Sequence, residues 1–340
     1  MRNRLLLLGV DLIIAALLLL GIWYGAYLRP QHGLPAAAFP LLTSTGEPVQ
    51  QNSTLQQTNY LPASTNWKEK FSDKFSDTII QIADTYRSPN LSISITKHTI
   101  DSNQTDASEQ GSHLKYGTKI SYTVADVYIG DITRFQTVFA KDTYGVGYKE
   151  KLTDMAQRSN AILSVNGDSY NNNRHQDNGT IIRNGSIYRS AATDMETCVL
   201  NWDGTMKIYT PEELNTQTLI QTGAYQSWIF GPSLLDSNGK AKTDFLTWDY
   251  IRESHPRTAI GYYEPGHYCF VVVDGRQKDY SRGMFLNELA QLFEQLGCKV
   301  AYNLDGGHCS FMTYQNHAIN HPYKPEHAVP DGILLTEGIQ

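Results

Sequence analysis

Two aspartates each close an apolar run and open a glycine turn: Asp274 in Asp274-Gly275 and Asp305 in Asp305-Gly306-Gly307. Paired carboxylates are what cleavage of a glycosidic bond uses, one as nucleophile or base and sometimes one as acid. Gly306 and Gly307 let the backbone approach a ligand and present its N–H groups. Arg257 and Arg276 are candidate anion clamps, because the guanidinium fork matches phosphate oxygens, and Arg282 is a third. A lone arginine is more often half of a surface ion pair, and an aspartate at a turn often serves only that turn. His308, next to the glycine pair, is a candidate proton donor, metal ligand or anion contact. Asp168, Asp274, Asp305 and His308 together would make an oxygen-rich site for a divalent cation. His175, His255 and His267 lie in polar stretches and read as surface residues.

These side chains need strands to position them. Cys269-Phe270-Val271-Val272-Val273 is an apolar run ending at Asp274, and Val300-Ala301-Tyr302-Asn303 ends at Asp305. Between them Leu286, Leu289, Ala290, Phe293 and Leu296 recur at helical spacing, with Gly297 as the stop. A strand–helix–strand unit joins parallel strands, so Asp274 and Asp305 are expected on one sheet edge. The strand Ala161–Val165 ends at Asn166-Gly167-Asp168 in the same manner and is expected to join them. Further strands are read at Leu91–Ile95 and Tyr122–Ile129, and a helix over Lys149–Arg158. The fold class is α+β: a mixed β-sheet core with flanking helices in a single catalytic domain. Cys269 and Cys298 both lie at strand starts and are candidates for a disulfide, buried free thiols being the other reading.

The 340 residues carry a net charge of −6, which leaves no electrostatic footprint for nucleic acid. Four cysteines in this length do not make a disulfide scaffold. Arg2 and Arg4 precede an apolar run from Leu5 to Leu28, with Trp23, Tyr24 and Tyr27 at its far end. That pattern predicts an uncleaved membrane anchor over residues 1–28, with the remainder extracytoplasmic. A cleaved signal peptide is the competing reading. Residues 29–85 read as a stalk, poor in large apolar groups, ending in a short amphipathic helix marked by Trp67, Phe71, Phe75 and Ile79. The compact domain is expected over 86–340.

Several of these segments, in this order, resemble one known family. They are Ser164-Val165-Asn166-Gly167-Asp168, Ile182-Arg183-Asn184-Gly185, Phe230-Gly231-Pro232-Ser233, Pro256-Arg257-Thr258-Ala259, Val272-Val273-Asp274-Gly275-Arg276, Tyr280-Ser281-Arg282-Gly283 and Asn303-Leu304-Asp305-Gly306-Gly307. The family is the phosphodiester glycosidases, and the resemblance covers the chain from about Tyr86 onward. It implies hydrolysis of a sugar–phosphate diester at the anomeric carbon, in a cell-surface protein of exopolysaccharide or wall-polymer metabolism. On that reading Asp305 and Asp274 are catalytic and Arg257 and Arg276 hold the phosphate. Asn166 and Asn303 contact sugar hydroxyls, with Asp168, Gly306, Gly307 and His308 lining the site. The sequence departs from the family pattern at His308-Cys309-Ser310-Phe311, where the family commonly has a third glycine and small hydroxyl residues. Two other readings stand beside it: a metal-dependent phosphodiesterase that cleaves P–O, and a glycan-binding protein without catalysis.

Overall fold

The computed structural model describes residues 2–24, 33–38, 55–104, 116–171 and 178–338, with side chains from residue 9 onward. Two sheets carry the fold. The first contains β1 (Ile80–Ile82), β2 (Thr85–Arg87), β3 (Leu91–Asp101) and β4 (Lys119–Ile129). The second takes β5 (Phe135–Phe139) and β6 (Ala161–Asn166). The chain returns to the first sheet with β7 (Arg257–Glu264), β8 (His267–Val273) and β9 (Val300–Asn303), then closes the second with β10 (Met312–Tyr314), β11 (His317–Ala318) and β12 (Asp331–Thr336). The spatial order is β9-β7-β8-β4-β3-β2-β1 in one sheet and β11-β10-β6-β12-β5 in the other.

The β8 run is apolar throughout because both of its faces are covered. Tyr268, Phe270 and Val272 point between the sheets, where they join Ile93, Val127, Phe135, Val165 and Ile333. Cys269, Val271 and Val273 point the other way, onto Leu289 and Phe293 of a helix over Leu286–Leu296. That helix ends as its sequence predicts, on Gly297 with φ 81°. At its start Glu288 accepts the Phe285 N–H at 3.0 Å and pairs with the buried Arg282, whose Nη1 lies 3.0 Å from Glu288 Oε2. Arg282 is therefore a helix anchor rather than an anion clamp.

The strand–helix–strand unit exists, with one change. β8 and β9 run parallel but are not neighbours: β7 lies between them and pairs antiparallel with both. Their C-terminal ends still share an edge, and β7 begins there, with Arg257 opposite Val273. β6 belongs to the second sheet, yet its end meets the same rim. Asn166 Nδ2 donates to the Asp305 carbonyl at 2.7 Å, and its Oδ1 accepts the Thr258 hydroxyl at 2.6 Å.

The expected stalk is partly built into the domain. Leu34–Pro35 pairs with Thr143–Tyr144, and Gln56–Gln57 with Ser186–Ile187. Tyr60 packs edge-on against Trp202 at 5.4 Å, while Trp67 and Phe71 enter the main core. The helix there is a single turn, Trp67–Lys70, with Phe75 packed on the core and Ile79 exposed. The boundary at 86 is thus too late. Edge pairing uses backbone groups, so composition gave no sign of it.

The N-terminal run is helical over Arg2–Trp23, with exposed side chains along its described part. Among the described residues no helix is long and apolar enough to cross a membrane. The expected span from Leu5 to Leu28 has its first four side chains and last four residues outside the described residues, as is His175. Cys269 and Cys298 are free thiols with their sulfurs 3.6 Å apart.

Candidate active site

The shared edge gathers the ends of β6, β8 and β9 with the start of β7. At its centre lies the turn after β9. A Cβ on Gly306 would sit 2.8 Å from the Pro256 carbonyl, and Gly307 takes φ 66° with the Arg276 guanidinium 3.5 Å from where its Cβ would be. Side chains at these positions would push the rim apart. Asp305 Oδ1 accepts the Gly306 N–H at 2.9 Å. Burial raises the Asp305 carboxyl to about 7; the Cys309 thiol bonded to it opposes this, and the nearby Asp168 and Asp331 add to it. A carboxyl with this proton affinity changes charge in the range where an acid or base catalyst works.

Two guanidiniums flank the turn. Arg276 has a left-handed φ of 59°, a backbone strain that is met at ligand-binding turns. Its Nη1 donates to Tyr323 Oη at 2.7 Å and its Nη2 to Tyr250 Oη at 3.0 Å and His255 Nδ1 at 3.2 Å. Arg257 is buried and donates to the carbonyls of Met284 at 3.0 Å, Ile251 at 2.7 Å and Glu253. Every one of these partners is neutral. Among the described residues neither positive charge has a carboxylate bonded to it, and burial together with Arg276 lowers Arg257 to about 9. His255 is neutral as well: burial and the two arginines push it down to about 3, and its Nε2–H donates to the Tyr250 carbonyl at 2.7 Å. The rim thus places two guanidiniums near a carboxyl of raised proton affinity.

Several expected site residues also have structural partners. The Asp274 carboxylate accepts from Tyr280 Oη at 3.0 Å, Asn320 Nδ2 at 2.9 Å and the His321 N–H at 3.0 Å. It latches the loop that carries Tyr323 to the end of β8. Arg257 contributes charge more than a free fork. Asn303 is buried and donates to the Gly231 carbonyl at 2.8 Å, and Asn166 is buried beneath Asp305, so neither is placed to meet sugar hydroxyls. Strand-end polar side chains turn inward here because the rim loops have backbone groups to satisfy. His308 stays on the rim, donating from Nε2 to the Pro325 carbonyl at 2.7 Å and stacked on His327.

Asp168 is buried in a cluster the motifs only half revealed. Asp331 accepts from Arg183 Nε at 3.0 Å and Nη2 at 2.6 Å, and its Oδ1 accepts the Asp168 N–H at 2.7 Å. Asp168 Oδ2 lies 3.7 Å from Arg183 Nη2 and accepts the Ile229 N–H at 2.7 Å. Two carboxylates share one guanidinium, and burial lifts Asp331 to about 6. Arg183 stood inside a motif without a role, and Asp331 carried no signal beyond a following glycine. Tyr250, His255 and Tyr323 were also unforeseen, since their spacing from Arg276 has no local pattern. Among the described residues no three His, Cys, Asp or Glu side chains converge as metal ligands.

The fold and rim together make a β-rich domain with two guanidiniums and a raised carboxyl at one sheet edge. A sequence profile of the phosphodiester glycosidases matches residues 159–336. The chain belongs to the phosphodiester glycosidase family. Its fold is similar to the zebrafish N-acetylglucosamine-1-phosphodiester alpha-N-acetylglucosaminidase catalytic domain auto-inhibited by its pro-peptide. The TM-score is 0.57 at 19% identity, covering 83% of this chain and 97% of that one. A hypothetical protein from Synechocystis is similar at TM-score 0.52 and 12% identity, over 73% of this chain and 62% of that one. The SPbeta prophage-derived uncharacterized protein YomE of Bacillus subtilis (strain 168) is 31% identical over 194 residues. That match covers 56% of this chain and 29% of the relative.

Proposed function

We propose that this chain hydrolyses a glycosyl-1-phosphodiester, breaking the bond between the anomeric carbon and the phosphate oxygen. The observation that carries the reading is the pair of guanidiniums with no carboxylate partner among the described residues, Arg276 and Arg257, set near the raised carboxyl of Asp305 across Gly306–Gly307. Family membership supports it. The phosphate would lie by Arg276 over the glycine turn, with the anomeric carbon toward Asp305. A phosphomonoester leaves readily, so little demand falls on a general acid. Asp305 acts as nucleophile or base while the arginines hold the departing charge. Water supplies the hydroxyl that ends on the sugar, and its protons remain with the products.

The substrate is proposed to carry an N-acetylhexosamine, the sugar named for the zebrafish enzyme, within exopolysaccharide or cell-wall glycopolymer metabolism. The N-terminal run is proposed as a single-pass anchor with the domain extracytoplasmic, on the strength of the basic residues before it and its apolar length. The P–O-cleaving reading through a cation has less support, because Asp274 is held by Tyr280, Asn320 and His321.

The test is product analysis on the full chain in detergent, with sugar-1-phosphodiesters in water enriched in oxygen-18. Free reducing sugar carrying the label is expected. Sugar-1-phosphate with labelled phosphate would instead establish P–O cleavage, and saturable binding without turnover would establish a binding protein.

A further inference from the structure

Behind the first sheet, toward the end away from the rim, two thiols meet. Cys269 stands on β8 and Cys298 just past the helix over Leu286–Leu296, 29 positions further along the chain, with their sulfurs 3.6 Å apart. Both are buried, at 0% and 3% exposure. Between them lies Gly261 of β7, paired with Cys269 on one side and with Ala301 of β9 on the other. A Cβ there would sit 2.7 Å from each sulfur, so the glycine opens the notch in which the two meet. The backbone around Cys298 is held in place. Its own N–H donates to the Phe293 carbonyl at 3.1 Å, and the next, of Lys299, to the Tyr262 carbonyl at 2.8 Å. Neither of the other two cysteines competes, since Cys198 packs between the sheets and Cys309 beside Asp305.

We propose that this pair is a modification site: a disulfide that closes in an oxidising compartment and ties β8 to the end of the helix. The sulfurs have only to close from 3.6 Å to about 2.0 Å. The oxidant is a disulfide, RSSR. One thiolate of the pair attacks it, forming a mixed disulfide and releasing RSH, and the second thiol displaces the other RSH. Two S–H bonds are lost and one S–S bond forms, while both electrons and both protons leave with the two RSH. Exchange needs a thiolate, and burial pushes the Cys269 thiol well above its ordinary range. The bond therefore forms while helix and sheet are apart, and is shielded from reductants once they close. The inference rests on the extracytoplasmic placement proposed above only for where the bond forms. The ring it closes, residues 269–298, contains Asp274, Arg276 and Arg282, so the bond restricts the open chain on both sides of the arginine turn.

The test keeps the full chain in detergent with a glutathione redox couple, in urea just below the unfolding midpoint, so that the helix opens and closes. Remaining thiols are then trapped with iodoacetamide and the peptides weighed. A cross-link between Cys269 and Cys298 is expected, with label on Cys198 and Cys309 only. The bridged chain is expected to melt about 5–10 °C above chain that was never oxidised. It is also expected to keep its bridge in dithiothreitol until urea is added. Cys298→Ala and Cys269→Val should each remove the difference in melting. Label on all four thiols, a bridge through Cys198 or Cys309, or equal melting temperatures would overturn the inference. The same trapping on chain taken directly from intact cells reads the compartment. Label on both thiols there, with the bridge formed in glutathione, would overturn the extracytoplasmic placement and leave the bridge standing.

Discussion

Asp305 titrates near pH 7 where an ordinary aspartate titrates near 3.8, and the direction of its working form follows from the leaving group. Phosphate needs little protonation to depart, so the ionised carboxylate is the reactive state. The logarithm of kcat/KM is expected to rise with pH up to about 7 and to level off above it. Asp305→Asn is expected to abolish that limb and lower kcat by about 10²–10⁴-fold, measured by initial rates across pH. A rate that falls above pH 7 would make Asp305 the acid instead. Arg276→Lys is expected to raise KM by about ten-fold with a smaller change in kcat, because an ammonium cannot span two phosphate oxygens as the fork does. Asp305, Arg276, Gly306 and Gly307 were legible in the sequence as candidates, each being a residue type whose chemistry announces itself at a strand end. Asp274 read identically there. It differs only because Tyr280, Asn320 and His321 reach it, and those contacts are made across loops.

The turn after β6 is held from below by the Arg183–Asp331 pair, and its energetics belong to that element. Removing one member of a buried ion pair leaves a charge uncompensated, at about 3–5 kcal/mol. Asp331→Asn is expected to lower unfolding stability in urea by less than this, because Asp168 still faces Arg183 at 3.7 Å. Arg183→Met leaves Asp168 and Asp331 facing each other. Both carboxyls would then stay protonated in the folded chain, so stability should be present at low pH and lost as pH rises through the range where they ionise. Urea midpoints taken at pH 5 and pH 8 would show it as a fall at the higher pH, steeper than in the wild type. A fall equal to that of the wild type would remove the electrostatic account. The helix over Leu286–Leu296 was legible from its spacing and its glycine stop, whereas the antiparallel strand between β8 and β9 was not. Strand order is set by which apolar faces meet in space, and a single sequence does not record it.

At the scale of the whole molecule, the segments before residue 86 matter for folding. Trp67 and Phe71 are core residues, and Gln56–Gln57 completes a sheet with Ser186–Arg189. A chain beginning at residue 86 would lose both aromatic anchors, each worth about 3–5 kcal/mol. That exceeds a large share of the total stability of an ordinary domain. Such a chain is expected to be insoluble or to melt far below one beginning at residue 33, as read by circular dichroism on heating. Equal melting temperatures would show the early segments to be ornamental.

The sequence by itself determined the chemistry available at the rim: an aspartate and a glycine pair after one strand, an arginine after another, and the helix between them. These are local facts, written in residue type and period. Tertiary structure decided how each carboxylate is partnered, that both arginines lack a carboxylate partner among the described residues, and that Asp331 and Arg183 stand behind the turn. Those outcomes depend on contacts between segments far apart in the chain. A carboxylate's proton affinity and an arginine's availability are set by what surrounds the group in space rather than by its neighbours in sequence.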